Sequence, residues 1–452
     1  MTVLDNELPE AQGNGSTTQP RILPAKATDF LRTKPRKDNS LRGFSRDWQV
    51  VPGIGYALRV PELAISFDLT RVRPKFDELI GLLTVRAKFK GALTVADDII
   101  SSADFNLSNL RARQERAKHL HERARAPEID WLGLIEELCQ RVHEHEARGE
   151  AVIPLQRIKT QENYDTDFNA AGLPLLRRLP TIWFGDGGCG KSYLSLYAAI
   201  DLAQSGQNVL YCDWEFASED HAARLRQIVG PVPAIPNLLY RRCHKPLPDD
   251  IPFLKQAIHQ HQISFIVCDS IGFACGGAPE DSDAALRYFG AIRELGNIGS
   301  LHIAHINKTE QGDQKPFGSV FWANGARSIW YFERSEANAL DNDEFSEFTV
   351  LLQHRKANTG RLQKARAMRI AFVGSEVKIV PTDPIDCDDK QTRKLHIRER
   401  MIKELRNNGS MHTSELAERL EAKEARVRKT LERENSIFMR LSDGRIGLLK
   451  RA

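Results

Sequence analysis

Residues 185–192 read Gly185-Asp186-Gly187-Gly188-Cys189-Gly190-Lys191-Ser192, which fills every fixed position of the pattern G-x-x-x-x-G-K-[ST]. This octet constrains the fold more than any other feature of the chain, because its chemistry needs a frame on both sides. Glycines lack Cβ and accept positive φ, so successive backbone N–H groups can converge on an anion. A lysine then supplies charge for β- and γ-phosphates and a hydroxyl supplies a ligand for Mg²⁺, here Lys191 and Ser192. Upstream, residues 179–184 hold the β-formers Thr181, Ile182, Trp183 and Phe184. Downstream, Leu194, Leu196, Ala198, Ala199 and Leu202 recur at helical spacing. The loop is therefore expected between a strand and a helix N-terminus, where the helix dipole favours an anion.

Further strands follow in the pattern of a parallel α/β sheet. Val209-Leu210-Tyr211-Cys212 runs into Asp213-Trp214-Glu215, and residues 263–270 place four apolar residues, Phe265 to Cys268, ahead of Asp269-Ser270. A buried parallel strand delivers a carboxylate at its C-terminal end, where open α/β sheets bind ligands. Asp269 is thus the expected partner of Ser192 in holding Mg²⁺ through water. Residues 284–295 read as a helix, and residues 301–308 as another buried strand with His305, Asn307 and Lys308 at its end.

The ordered set Asp269-Ser270, Ile303-Ala304-His305-Ile306-Asn307-Lys308, Pro316-Phe317-Gly318-Ser319 and Ala326-Arg327-Ser328-Ile329-Trp330 resembles the RecA-like ATPases of the RepA group. Those are ring-shaped helicases of plasmids and phages, related to the DnaB replicative helicases. The resemblance covers about 200 residues and implies ATP and Mg²⁺ as cofactors. It implies that Glu215 orients the attacking water, with Asp213 as the competitor, and that His305 senses the γ-phosphate. It also implies that Arg327, or alternatively Arg334, reaches the nucleotide of a neighbouring subunit. The turn His354-Arg355-Lys356-Ala357-Asn358-Thr359-Gly360 resembles turns that place a second basic group in trans; Asn358 stands where the DnaB type has Arg, which leaves Lys356. The expected assembly is a homo-oligomer, a hexamer by this likeness, with single-stranded DNA through the ring.

The rest of the chain divides by composition. Residues 1–45 are polar and read as a disordered tail, basic at its end through Arg32, Lys34, Arg36, Lys37, Arg42 and Arg46. Residues 46–150 form an accessory α+β module, with strand-like runs at 56–60, 64–69 and 79–89. Polar and amphipathic helices follow at 111–125 and 129–148, the second with Leu132, Leu134, Ile135, Leu138 and Val142 on its buried side. A linker over 151–175 leads to the nucleotide domain at 176–382, and an acidic linker over 383–392 leads to residues 393–452. There, three helical segments precede a hairpin with Asp443-Gly444 in an expected type I′ turn, the order of a winged helix-turn-helix with Thr413 as a helix cap. Arg426, Lys429 and Arg433 share one face of the third helix and Arg445 lies in the wing, a basic surface for duplex DNA.

Composition excludes little. Net charge is only +4 over 452 residues, so no partner follows from the total. The seven cysteines (139, 189, 212, 243, 268, 275 and 387) include no C-x-x-C pair, which points to reduced thiols in a cytoplasmic protein. No apolar run suggests a membrane span or a signal peptide. Cys189, among converging N–H groups, is expected to favour its thiolate. Residues 272–282 read as a mobile loop. Two readings of function stand: a DNA-dependent ring motor, and a non-motor ATP switch that regulates DNA or assists recombination.

Overall fold

A computed structural model describes residues 44–149, 152–158, 167–231, 234–305, 318–341, 345–393 and 395–449. Most of the basic tail lies outside the described residues. So do Ile306, Asn307, Lys308, Pro316 and Phe317.

The first group of elements is an antiparallel meander, β1 (Asp47–Val51), β2 (Gly55–Val60), β3 (Ile65–Lys75), β4 (Glu78–Ala87) and β5 (Ile99–Asn106), paired in that order. Alternation on β4 turns Leu83, Val85 and Ala87 inward. Two helices cover that face, α1 (Leu110–Ala124) and α2 (Trp131–Arg148). Asn109 and Asp130 cap them, accepting from the N–H of Ala112 (3.1 Å) and Gly133 (2.8 Å). β1 and β5 had no sequence signal of their own. Leu132 is a correction: it is 39% exposed, because Trp131 starts the buried stripe that continues through Leu134, Ile135, Leu138 and Val142.

The second group opens with a hairpin, β6 (Asp167–Ala170) and β7 (Leu173–Leu176). The expected linker therefore ends at residue 167, because Phe168, Ala170, Leu173 and Leu175 are buried in the main core. The chain continues through β8 (Pro180–Gly185), α3 (Lys191–Gln204), β9 (Val209–Asp213), α4 (Ser218–Val229), β10 (Leu238–Arg242), α5 (Ile251–His261) and β11 (Phe265–Asp269). Next come α6 (Ile271–Ala274), α7 (Ser282–Glu294), β12 (Gly299–His305), α8 (Val320–Gly325), β13 (Ser328–Asp341), β14 (Phe345–Ala357), β15 (Arg366–Val373) and β16 (Glu376–Thr382). These nine strands, from β8 to β16, form one sheet in the order β10-β9-β11-β12-β8-β13-β14-β15-β16, parallel through β13 and antiparallel beyond it. The fold is thus mixed α/β with a large, mainly parallel sheet.

Both sheet faces are covered, as parallel strands require. Trp183 of β8 packs with α3 on one face, while its neighbours Ile182 and Phe184 pack with α5 and α7 on the other. The segment 272–282 is not simply a loop: α6 occupies its start and Cys275 is fully buried.

The last group is α9 (Asp389–Thr392), α10 (Ile397–Asn408), α11 (Thr413–Arg419), α12 (Glu424–Arg433), β17 (Phe438–Arg440) and β18 (Ile446–Leu448). Met401, Leu416, Val427, Phe438 and Ile446 form its core. Three expectations change here. Residues 383–392 are packed rather than free: Ile385, Cys387, Gln391 and Thr392 are buried, and the Gln391 amide donates to the carbonyls of Glu333 (3.2 Å) and Arg334 (2.9 Å). His412, not Thr413, holds the cap position of α11, and Thr413 is the first helical residue. The β17–β18 turn is not type I′, since Gly444 takes a positive φ (82°) and Asp443 does not. The Asp443 carboxylate instead accepts the Arg445 N–H at 3.0 Å.

Candidate functional site

The phosphate loop leaves β8 at Gly185, where a side chain would run into the carbonyl oxygen of Phe332 on the adjacent β13. Gly190 enters α3 at φ +87°, and a Cβ there would lie 2.7 Å from Ile370 Cδ1. Gly187 and Gly188, by contrast, face open space: a Cβ on either would meet nothing within 4 Å. Asp186 is exposed beside them. Neighbours thus require the outer glycines, and a ligand is the reason for the inner ones.

Lys191 is 95% buried, and its ammonium group donates to the carbonyls of Gly185 (2.8 Å) and Asp186 (2.6 Å). The lysine is thereby held inside the loop that a phosphate would enter. Cys189 corrects its expectation. Its thiol is buried 3.6 Å from the Lys191 ammonium, and burial pushes its pKa up despite that charge. Desolvation outweighs the nest of N–H groups, so the thiol stays protonated.

Parallel register sets β9, β11, β12 and β8 side by side, so their C-terminal ends deliver side chains to one cleft of about 290 Å³. Asp269, at the end of β11, is 99% buried, and its pKa is raised by that burial. Its Oδ2 accepts from Tyr211 OH at 2.8 Å, while Oδ1 has no partner among the described residues. A buried, unpartnered carboxylate oxygen next to the Ser192 hydroxyl is the donor set a hard divalent cation prefers, so Ser192 and Asp269 fit Mg²⁺.

Glu215 lies just past β9. The Ser270 hydroxyl donates to its Oε1, and His305 Nε2 is 3.7 Å from the same atom. His305 and then Ser270 hold the Glu215 carboxyl below the usual carboxylate range, so it is anionic at neutral pH. Its competitor Asp213 is differently employed. That carboxylate is fully buried and accepts the backbone N–H of Glu215 (2.8 Å) and Phe216 (3.0 Å) and the Tyr240 hydroxyl (2.8 Å). Burial would raise its pKa, but the bonds from His221, from those N–H groups and from Tyr240 outweigh it and hold the group low. Of the two, Glu215 alone lines the cleft.

The sequence reading missed a wall of the cleft. Arg224 of α4 lies 4.2 Å from the Phe216 ring centroid and 5.0 Å from that of Tyr193, and its Nη1 is buried without a partner among the described residues. Phe348 and Phe372 of the antiparallel strands close the same side, and Arg334 lies 4.2 Å over Phe348. Arg224 follows Glu215 on the next helix and could have been suspected from position. The two phenylalanines lie far along the chain with no motif around them.

Arg327 and Lys356 are not brought to this cleft. The Arg327 N–H donates to the Pro180 carbonyl, at the opposite end of β8 from the loop, so about 17 Å of strand separates them. Arg327 Nη1 donates to the Asn324 carbonyl at 3.0 Å. The Lys356 ammonium donates to the carbonyls of Ala323 (2.6 Å) and Ala326 (2.9 Å), and burial followed by the Arg327 charge lowers its pKa. The two candidate arginines thus part company: Arg334 is at the loop end of the sheet and Arg327 at the other. In the C-terminal group Arg426, Lys429 and Arg433 are all exposed on α12, while Arg445 is paired with Asp443 (2.6 Å).

Residues 174–311 match a family model described as an AAA domain. No curated protein matches the chain. Among solved structures, a KaiC-like protein from the hyperthermophilic archaeon Pyrococcus horikoshii is 13% identical, with 46% of this chain and 91% of that one covered and a TM-score of 0.37. The ATPase domain of a DnaB-like protein is 12% identical, with 46% and 86% covered and a TM-score of 0.37. No described helix is long and apolar enough to cross a membrane. A complete phosphate loop with its strand-end carboxylates, in a region that matches an AAA domain, makes residues 174–311 a phosphate-loop ATPase domain.

Proposed function

We propose that this chain is a DNA-dependent ATPase of the RecA-like RepA type, working as a ring of six copies with single-stranded DNA through its centre. One observation carries the reading. Lys191, Ser192, Asp269, Glu215 and His305 meet at one end of the sheet, whereas Arg327 and Lys356 stand at the other end. Those two cations cannot serve the nucleotide of their own chain, but they can serve that of a copy stacked against it.

In this reading the loop N–H groups and Lys191 bind the β- and γ-phosphates. Mg²⁺, held by Ser192 and through water by Asp269, would neutralise phosphate charge. Glu215 orients a water and takes its proton as the water oxygen attacks the γ-phosphorus and ADP leaves. His305, beside Glu215 and half-exposed, senses the γ-phosphate. Arg224 and the aromatic wall hold the nucleotide. Arg327 of the next copy stabilises charge in the transition state, an effect worth roughly 10³–10⁵ in rate for such arginines. The C-terminal group acts as a winged helix that lays Arg426, Lys429 and Arg433 against duplex DNA, with Arg445 on a phosphate once freed from Asp443.

The test is complementation. Arg327→Ala and Glu215→Ala should each abolish hydrolysis while binding ATP, and mixing them should restore part of the activity, because a mixed interface can be intact. No recovery on mixing overturns the trans role. The second reading, a non-motor ATP switch, is favoured by Lys356, whose ammonium is already engaged by two carbonyls. Hydrolysis indifferent to single-stranded DNA would select it.

A further inference from the structure

The turn after β9 is held by more than a turn needs. Asp213 Oδ1 accepts the N–H groups of Glu215 and Phe216, which is enough to end a strand in an Asx turn. Its Oδ2 is approached by three more groups from two other elements: Tyr240 OH at 2.8 Å and Arg242 Nη1 at 3.4 Å from β10, and His221 Nε2 at 3.3 Å from α4. The carboxylate is fully buried, and the Asp213 carbonyl accepts the Cys243 N–H at 2.8 Å. An asparagine would complete the turn as well, without burying a charge. Three donors converging on one oxygen, however, require a group that only accepts. Burying such a charge costs several kcal/mol unless it is fully paired. Here it is paired.

That pairing connects the two sides of the cleft. α4 carries Arg224 one helical turn beyond His221, and the turn that Asp213 closes carries Glu215. Only the backbone of Glu215 is fixed by Asp213; its side chain meets Ser270 and His305 from neighbouring strands. We propose that Asp213 is a positioning residue for hydrolysis, its carboxylate locking the strand-end turn to α4 and β10 so that Glu215 is aimed at the attacking water. This rests on the reading of Glu215 as the residue that orients that water.

The experiment uses the full chain and four variants: Asp213→Asn, Tyr240→Phe, Glu215→Gln and the double variant Asp213→Asn/Glu215→Gln. Affinity for a fluorescent ATP analogue and single-turnover hydrolysis are measured for each. Asp213→Asn should lower the hydrolysis rate about 10²-fold, the scale of a 1 Å misplacement, with affinity changed by less than about threefold. Tyr240→Phe removes one donor from Oδ2 and should show the same split more weakly. The double variant should hydrolyse no more slowly than Glu215→Gln alone, because Asp213 acts through Glu215. Losses that multiply, or affinity that falls in step with rate, overturn the positioning role. If Asp213→Asn does not fold, Tyr240→Phe decides: a normal rate refutes the proposal, and a slowed rate at normal affinity supports it. Wild-type hydrolysis by Glu215→Gln would instead remove Glu215 itself, and the proposal with it.

Discussion

Acid should weaken this fold through one histidine. His302 sits in the middle of β12 with no exposed surface, its Nδ1 2.8 Å from Tyr288 OH and its Nε2 2.9 Å from Ser300 Oγ. Burial pushes its pKa down from 6.5 to about 3. In the unfolded chain it titrates near the ordinary value, so between these limits the unfolded state binds more protons. The stabilisation is therefore full above about pH 6.5 and is lost as pH falls towards 3, at about 1.4 kcal/mol per unit. The whole gap is worth about 5 kcal/mol, comparable with the net stability of a domain. Urea unfolding followed by tryptophan fluorescence reports on this core, since Trp183, Trp322 and Trp330 lie within it. The comparison is wild type against His302→Gln from about pH 7.5 to about pH 4.5. Glutamine bonds both hydroxyls but does not ionise, and the carboxylates common to both proteins cancel in the difference. The wild-type advantage should shrink by about 1.4 kcal/mol for each unit below 6.5. Parallel lines for the two proteins would refute the reasoning.

Three more outcomes are expected. Glu215 must be ionised to act, so hydrolysis falls as pH drops through its pKa; His305→Ala removes the group that most lowers that pKa and should move the acid limb to higher pH, which a pH–rate profile reads directly. Cys189, buried with a raised pKa, should react with a maleimide at least about tenfold more slowly in the native protein than in urea, as mass spectrometry of the loop peptide would show. Replacing Arg426, Lys429 and Arg433 together by Ala should flatten the dependence of log K on log salt for duplex binding by up to about 2.7, at about 0.9 per phosphate contact; an unchanged slope would dismiss α12 as the contact surface.

Legibility followed the range of the physics. The loop, β9, β11 and their terminal carboxylates could be read because phosphate chemistry and buried parallel strands write short, local patterns. β1 and β5 could not, since a strand in a meander takes its place from its neighbours. Thr413 and the Asp443-Gly444 turn were misread because single-residue preferences are weak, and the surrounding contacts decided which residue became the cap and which took positive φ. Cys189 was misjudged by weighing the local N–H groups without the burial that only the packed loop reveals.

The sequence by itself determined that a triphosphate loop stands between a strand and a helix, that Asp269 and Glu215 end buried strands, and that basic residues cluster on α12. Only the tertiary structure separated Asp213 from Glu215. Both are carboxylates near one strand end, and what distinguishes them is that donors from α4 and β10 surround the first while Ser270 and His305 meet the second. Tertiary structure also put Arg327 at the end of the sheet away from the loop, because strand direction, not sequence order, sets which residues share an edge. The local patterns arise from chemistry between residues near in the chain, and the rest from contacts that exist only once distant strands lie side by side.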